Sequence, residues 1–204
     1  MQPYFFPYIN YFELMSSVDT FVFFDDVQYI RRGWVNRNRI RRSDGGTQYI
    51  TVPTTKAARS EKINNISIAN NEWVNQHTKT FLTLYGKKAE SHYLFNLYRS
   101  LSNYSSLSDM LCHTLASTAS YLGIQVQFLK SSQLPSDSTR TDRLIEICKT
   151  LGASTYINAA GGRDLYKEED FMAHSIELKF VEPTSHHNKL SIIDYCIGDG
   201  LTQL

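Results

Sequence analysis

The fold is decided by a short apolar run, Thr20-Phe21-Val22-Phe23-Phe24, and by the polar stretch that follows it. The run is β-branched and aromatic throughout, which predicts a short buried strand. Two carboxylates, Asp25 and Asp26, come directly after it, and six arginines follow within residues 31–42. Because ligands bind outside the carboxyl ends of strands in open α/β sheets, this stretch is the predicted functional site.

The polar stretch reads Asp25-Asp26-Val27-Gln28-Tyr29-Ile30-Arg31-Arg32-Gly33-Trp34-Val35-Asn36-Arg37-Asn38-Arg39-Ile40-Arg41-Arg42. Planar guanidinium groups bind phosphate or carboxylate through two parallel hydrogen bonds. A solvated basic loop is the alternative interpretation, but such a loop needs neither the aromatic nor the amide side chains that lie between the arginines. The candidate ligand-binding residues here are Gln28, Tyr29, Arg32, Trp34, Asn36, Arg37, Asn38 and Arg39.

The composition favours a folded protein whose basic character is local. The chain has 204 residues, 42% of them hydrophobic, and a formal net charge of +1. With so small a net charge, no global field attracts nucleic acid or membrane, so a small anionic ligand is the expected partner. No apolar run approaches the roughly 20 residues that span a bilayer, and no signal peptide is recognisable. The scattered Cys112, Cys148 and Cys196 match no metal spacing and predict reduced, buried thiols in a cytoplasmic protein.

The segment before the central strand looks like part of a larger unit. Residues 1–8 contain two prolines and four aromatic residues, which is a loop composition, and Gln2 and Tyr4 are candidate ligand contacts there. Residues 9–18 approximate a helical apolar stripe. Loop, helix and strand together resemble the second half of a βαβ unit without its first strand. This predicts either a misplaced coding start or a trimmed chain, with residues 1–7 still lying over the sheet.

Beyond the arginine stretch, the pattern predicts an α/β protein. Strands are predicted at residues 48–52, 63–68, 125–130, 155–158 and 177–181, and helices at 142–151 and 168–174. Residues 72–122 show helical spacing and no strand signal, so we interpret them as a helical insertion. The expected architecture is one domain, residues 1–204, with a mostly parallel sheet flanked by helices.

Other candidate groups are weaker. Gly161 and Gly162 follow a predicted strand, where their N–H groups can hold an anion beside Arg163, although an ordinary turn is an equal alternative. Asp25 and Asp26 can act as a base or bind Mg²⁺, but adjacent strand residues point to opposite faces. His186 and His187 lack distant partners for a metal site, so surface roles are expected and no metal is predicted.

Several of these segments together resemble the WbqC-like family. They are residues 2–8, 25–29, 32–34, 36–40, 161–164 and 190–194, and they run in order along nearly the whole chain. The family occurs in bacterial gene clusters for O-antigen and other surface glycans, and some members are described as glycyl or other aminoacyl-type transferases acting on aminosugar precursors. This sequence departs from the family by lacking the apolar strand before Gln2 and by having Asn10 where glycine is usual.

The resemblance implies an N-acyl transferase, glycyl or another aminoacyl class, acting on a nucleotide-linked aminosugar. Arg32, Arg37 and Arg39 with Asn36 and Asn38 would hold the pyrophosphate, Trp34 or Tyr29 would stack, and Asp25 or Asp26 would accept the proton from the amine. One alternative is a non-catalytic module that binds a nucleotide-sugar or carrier. Another is an ATP-dependent amide ligase resembling pantothenate synthetase, although the His-x-Gly-His signature is absent. The sequence leaves open whether ATP or an acyl donor is the cofactor.

Overall fold

Helices and short strands alternate along the chain in the computed structural model, which describes residues 1–134, 136–184 and 189–199. This confirms the α/β class. His186 and His187 lie outside the described residues. The helices are α1 (Ile9–Ser16), α2 (Glu72–Tyr85), α3 (Lys87–Glu90), α4 (Tyr93–Ser100), α5 (Leu107–Tyr121), α6 (Arg140–Thr150) and α7 (Glu168–Met172). The strands are β1 (Thr20–Phe23), β2 (Arg37–Arg41), β3 (Thr47–Thr51), β4 (Gln127–Lys130), β5 (Thr155–Ala159) and β6 (Glu177–Val181).

The strands form three two-stranded sheets. Two are parallel, β1 with β4 and β5 with β6, and helices flank them as expected. The third is the antiparallel hairpin of β2 and β3. Of this hairpin, the sequence predicts only the second strand, at residues 48–52, because the arginines before it have the composition of a ligand-binding stretch.

Residues 72–121 are helical almost throughout, which confirms the predicted helical block. Ser106 begins α5 because its hydroxyl oxygen accepts a hydrogen bond from the Asp109 N–H at 3.2 Å. Gly86 ends α2 with a positive φ of 62°, a conformation that glycine adopts without a steric penalty. The block buries Phe5 and Phe6 of the amino-terminal loop, whose rings contact the buried ring of Tyr98. These aromatics are buried as expected, but against helices.

The strand predicted at residues 63–68 is wrong. The chain there forms one 3₁₀ turn, Ile63–Asn65, followed by isolated bridges from Ser67 and Ile68 to other segments. The three isoleucines that suggested a strand are all buried. They reach the core from a turn because Ile63 and Ile66 are one 3₁₀ turn apart, a spacing of apolar residues that does not distinguish a turn from a strand.

The two hydrophobic clusters of the described residues share the strand β5. Ile157 and Ala159 pack against the large cluster around Phe12, Phe23 and Phe81. Tyr156 packs against the smaller cluster of Leu144, Ile145, Cys148, Phe171 and Ile176. Successive residues of a strand point to opposite faces, so β5 separates the two clusters and contributes to both.

A groove of about 410 Å³ lies between β1 and β5. Val22 and Phe24 border it on one side and Ile157 on the other. At one end, Met1 lies along β1: its amino group donates to the Val22 carbonyl at 2.9 Å, and its carbonyl accepts from the Phe24 N–H at 2.8 Å. These two bonds to the residues flanking Phe23 are the pattern of a parallel strand pair.

An extension of about five alternating valine and isoleucine residues before Met1 should raise the melting temperature by roughly 4 °C or more. The added strand would continue the parallel pairing along β1 and cover apolar surface in the groove. It would also replace a buried amino group, whose pKa burial lowers to about 5, with a peptide bond. Differential scanning calorimetry measures the effect. An extension of equal length built from glycine and serine is the control, and equal melting temperatures for the two extensions would contradict the prediction.

Candidate functional site

The arginine-rich stretch ends in the β2–β3 hairpin. The strand pairing of the hairpin determines which side chains lie on the same face. The turn between the strands closes through the Arg42 N–H and the Gly46 carbonyl at 2.8 Å, with Gly45 at a φ of 83°. The register pairs Arg39 with Tyr49 and Arg37 with Thr51. Paired residues of an antiparallel ladder lie on the same face, so the arginines and Tyr49 share one side of the hairpin.

On that side, arginine and aromatic side chains contact each other in pairs. The Arg37 guanidinium carbon lies 4.3 Å from the centre of the Tyr49 ring, and that of Arg39 lies 5.4 Å from the centre of the Trp34 ring. The two ring centres are 6.5 Å apart. We call the outward side chains of Trp34, Arg37, Arg39 and Tyr49 the hairpin face. Because a ring holds a guanidinium through its π face, the N–H groups of the arginine stay available for other acceptors.

The hydrogen-bond donors of Arg37 and Arg39 are largely unused. The Nε atoms of both arginines are buried and have no hydrogen-bond partner. Arg39 makes one long contact, from Nη2 to the Lys189 carbonyl at 3.4 Å. Buried donors are normally satisfied in folded proteins, so these two unpartnered Nε atoms make the hairpin face the candidate place for an acceptor. Carboxylate and phosphate oxygens are the acceptors that match a guanidinium best.

Asn36 and Asn38 do not belong to the hairpin face, which corrects the expectation that they hold a pyrophosphate with the arginines. Both are buried, on the opposite side of the strand. The Asn38 amide donates to the carbonyls of Phe5 and Phe6, and the Asn36 amide donates to the Val52 carbonyl. The physical reason is the two-residue period of a strand, which separates alternating asparagine and arginine side chains. The Asn38 amide thus fixes the amino-terminal loop to the hairpin, and the Asn36 amide joins the start of β2 to the residue after β3.

The residues just before the hairpin have mixed roles. The Gln28 side chain is held in place by a hydrogen bond, which its amide donates to the Arg59 carbonyl at 2.7 Å. Tyr29 is buried, and burial raises the pKa of its phenol, although a hydrogen bond with Thr54 and the charges of Arg31 and Arg37 act in the opposite direction. The cations therefore lie close to this ring. Arg32 is exposed and has a left-handed backbone with a φ of 59°.

Asp25 is an anchor between three segments. It is 1% exposed, and its carboxylate accepts hydrogen bonds from the Ser108 hydroxyl at 2.8 Å and from the Ser132 N–H and hydroxyl, both at 3.0 Å. The Ser131 hydroxyl lies 3.4 Å from the same carboxylate, but it donates its proton to the closer Asp26. A carboxylate that is both buried and saturated with donors has little room to receive a substrate proton. The geometry thus supports a role in stability more than a role as base.

Asp26 faces a different set of groups. Its side chain forms an ion pair with Arg143 at 3.0 Å and accepts a short hydrogen bond from the Ser131 hydroxyl. Arg143 is buried and also donates to the carbonyls of Ser131 and Leu134. None of these partners belongs to the hairpin face. The structure therefore brings the carboxylates together with α6 and the segment after β4, rather than with Arg37 and Arg39.

The loop after β5 borders a separate cavity of about 450 Å³, whose lining includes Tyr8, Glu13, Gly161 and Lys189. This cavity lies at the carboxyl ends of β5 and β6, where α/β proteins often bind ligands. The Lys189 carbonyl also accepts a hydrogen bond from Arg39, so Lys189 borders both the cavity and the hairpin face.

The other candidates from this region and from the amino-terminal loop are engaged within the protein. Arg163 pairs with Glu182 at 2.6 Å, and a Cβ atom on Gly162 would lie 3.2 Å from the Asn158 amide. The Gln2 carbonyl accepts a bond from the Tyr11 hydroxyl at 2.7 Å. Tyr4 is half-buried with its ring 5.7 Å from that of Tyr11. The ring contact places Tyr4 against α1.

The three cysteines are buried and free, as predicted. Burial raises the pKa of the Cys112 thiol to about 12, which makes it a poor nucleophile at neutral pH. Within residues 1–134, 136–184 and 189–199, no group of three or more His, Cys, Asp or Glu side chains is placed to hold a metal ion. No helix in the described part of the chain has the length and apolar character needed to cross a membrane.

Sequence reasoning missed Tyr49 as a member of the site. Residue 49 was assigned to a strand, but its side was not considered. The turn at residues 44–46 contained the necessary signal, because a short hairpin loop fixes which residues pair across the strands. Asp194 was also missed as the partner of Arg41: its carboxylate accepts from the Arg41 N–H at 3.0 Å and from Arg41 Nε at 2.7 Å.

Comparison with known proteins places the whole chain in one group. The chain is 30% identical over 187 residues to the uncharacterized protein Rv1507c of Mycobacterium tuberculosis (strain ATCC 25618 / H37Rv), an alignment that covers 89% of this chain and 80% of that protein. No solved structure matches the chain. The model of the WbqC-like protein family matches residues 2–203. The match spans nearly every segment described above, and the chain belongs to the WbqC-like protein family.

Proposed function

We propose that the protein binds a nucleotide-linked aminosugar at the hairpin face and acts as an N-acyl transferase, of glycyl or another aminoacyl class. The observation that carries the proposal is the pair of unpartnered Nε atoms on Arg37 and Arg39, each guanidinium lying over an exposed aromatic ring. Two adjacent guanidinium groups suit a pyrophosphate, and exposed rings suit a base or a sugar. The resemblance to proteins of surface-glycan gene clusters supports a place in cytoplasmic O-antigen or related polysaccharide synthesis.

Transfer requires a second substrate and a base. In the proposed reaction the sugar amine attacks the acyl carbonyl, a C–N bond forms, the donor's leaving group departs and a base takes the amine proton. The cavity beside Gly161 is the proposed place for the donor, since Lys189 joins it to Arg39. Of the two carboxylates, Asp26 is the better candidate base, because 18% of its side chain is exposed.

A non-catalytic binding module is the second candidate. The observation that favours it is the contact set of Asp25 and Asp26, which consists of serines and Arg143 and includes no residue of the hairpin face. Such a module would present the nucleotide-sugar to a partner enzyme. The two candidates share the same ligand and differ in whether a new amide bond appears.

Ligand binding is tested first by thermal shift with UDP-glucosamine. A ligand at about one hundred times its dissociation constant should add roughly 2–3 kcal/mol of stability. Glucosamine alone and uridine alone are controls, because neither has the diphosphate that the arginines are proposed to hold. A shift with uridine equal to that with UDP-glucosamine would contradict a phosphate site.

Transfer is tested by incubating the protein with UDP-glucosamine and either glycine with ATP or acetyl-CoA. Mass spectrometry of the nucleotide-sugar detects an acyl group on the amine. Binding with no product from any donor class, and no effect of Asp26→Asn on binding, would favour the binding module. Product formation that Asp26→Asn abolishes, with binding retained, is the expected result for the transferase.

A further inference from the structure

Positive charge is concentrated around the hairpin. Residues 27–62 contain nine lysines and arginines and two acidic residues, so this segment carries a net charge of +7, whereas the whole chain carries +1. Both acidic residues are engaged locally: Asp44 pairs with Arg42 at 2.7 Å, and Glu61 accepts from the Asn65 amide at 2.8 Å. The rest of the chain is correspondingly negative. Asp194 and Asp199, from outside the segment, pair with Arg41. Even so, the segment keeps an excess of positive charge that the near-zero total conceals.

Exposed apolar side chains occur in the same place. Ile30 is 58% exposed, Trp34 42% and Tyr49 50%. These are half of the exposed large hydrophobic side chains among the described residues, and the others lie on α4, α7 and the loop after β5. Single exposed hydrophobic residues are ordinary, but a group of them within a cationic segment marks an interaction surface.

The turn that carries Ile30 is continuous with the hairpin face. It closes through the Gly33 N–H and the Ile30 carbonyl at 3.1 Å, and Trp34 follows directly. Tyr29, on the other side of Ile30, lies close enough to Arg31 and Arg37 for both charges to act on its phenol. Arg32 is held exposed at the turn in a left-handed conformation that is unfavourable for a residue with a side chain. Backbone strain of this kind is often retained where the side chain has a functional role.

We propose that this surface, Ile30, Arg31 and Arg32 together with the hairpin face, docks on the headgroup layer of a lipid bilayer rich in anionic lipid. Arginines place their guanidinium groups among phosphates while their stems cover apolar surface, and tryptophan and tyrosine rings favour the boundary between headgroups and acyl chains. The aliphatic Ile30, exposed beside these rings, adds apolar surface that can enter this boundary. The docking proposal involves the same arginines as nucleotide binding, but it does not depend on which ligand binds there. Either proposal can therefore be wrong while the other is right.

Co-sedimentation with lipid vesicles tests the docking. The full chain should bind vesicles in which about one third of the phosphatidylcholine is replaced by phosphatidylglycerol, and bind pure phosphatidylcholine roughly a hundredfold more weakly. Arg32→Gln should weaken binding about fivefold, the share of one cation near an anionic surface. Ile30→Ser should weaken it by about fivefold or more through lost apolar contact, without changing the affinity for UDP-glucosamine.

Leu165→Ser is the matched control for Ile30→Ser, because Leu165 is 72% exposed in the loop after β5. It should leave vesicle binding unchanged, and equal melting temperatures for the three variants confirm that each is folded. Absence of binding to anionic vesicles would overturn the proposal. Vesicle binding that Ile30→Ser leaves unchanged would also overturn it, because charge attraction alone would then explain the binding. Competition by polyglutamate as effective as competition by vesicles would overturn it as well, because it would indicate an acidic protein partner.

Discussion

Replacing Asp25 with alanine is expected to lower the free energy of unfolding by about 3 kcal/mol. The carboxylate is buried and receives hydrogen bonds from the Ser108 hydroxyl and from the N–H and hydroxyl of Ser132. Its loss leaves buried hydroxyl and N–H groups without an acceptor and creates a cavity where β1, α5 and the segment after β4 meet. Urea unfolding followed by tryptophan fluorescence and by circular dichroism measures the change.

Two further variants separate stability from chemistry at this position. Asp19→Ala removes an exposed carboxylate just before the same strand and should change stability by no more than about 0.5 kcal/mol. Asp25→Asn keeps one acceptor oxygen and the shape of the side chain, so a smaller loss of about 1–2 kcal/mol is expected. If Asp25→Ala were no more destabilising than Asp19→Ala, the anchoring role would be wrong. A folded Asp25→Asn protein that binds UDP-glucosamine but no longer transfers would instead identify Asp25 as the base.

At the hairpin face, Arg37→Lys and Arg39→Lys are each expected to weaken UDP-glucosamine binding by about tenfold or more. Lysine keeps the charge but lacks the planar pair of donors and the stacking on Tyr49 or Trp34. Attraction by a solvated basic loop predicts the opposite: lysine nearly as good as arginine, and binding that is strongly reduced by salt. Isothermal titration at low and moderate salt distinguishes the two.

Trp34→Ala and Arg99→Lys complete this series. Trp34→Ala changes no charge, yet it should cost about 1–3 kcal/mol of binding free energy if a base or sugar stacks on the ring. Arg99→Lys is the matched control, since Arg99 is exposed on α4 and is not part of the hairpin face. If both hairpin lysine variants bind like the parent and Trp34→Ala has no effect, the ligand site lies elsewhere.

Local patterns in the sequence were sufficient for much of the fold. The strand predicted at residues 177–181 is β6 with the same limits, and the helical spacing of residues 72–122 corresponds to α2–α5. These segments have a clear period and strong end signals, such as Ser106 and Gly86. Residues 63–68 offered only the three isoleucines 63, 66 and 68 as a signal, and these fit a strand and a turn equally well.

Fewer residues of the candidate site could be predicted from the sequence. Which side chains lie together there depends on the face of the strand and on partners that are distant in sequence. Asn36 and Asn38 were grouped with the arginines since they are adjacent in sequence, whereas the pleat of β2 directs them inward. Asp26 was expected near the arginines of its own stretch, but its partner, Arg143, is 117 residues away. Pairings at that separation depend on how the elements pack, which no local pattern encodes.

The attachment of residues 189–199 to β2 has a consequence for how the protein forms during its synthesis. The Ser191 N–H donates to the Arg39 carbonyl at 2.8 Å, and Arg41 bonds to Asp194 across 153 residues of sequence. The ribosome completes the hairpin long before it adds these partners, so the nascent hairpin has one strand edge without them. We therefore expect chaperones that bind exposed strand edges to bind the nascent chain at β2. They would be displaced when the carboxyl-terminal segment is synthesised and pairs with that edge.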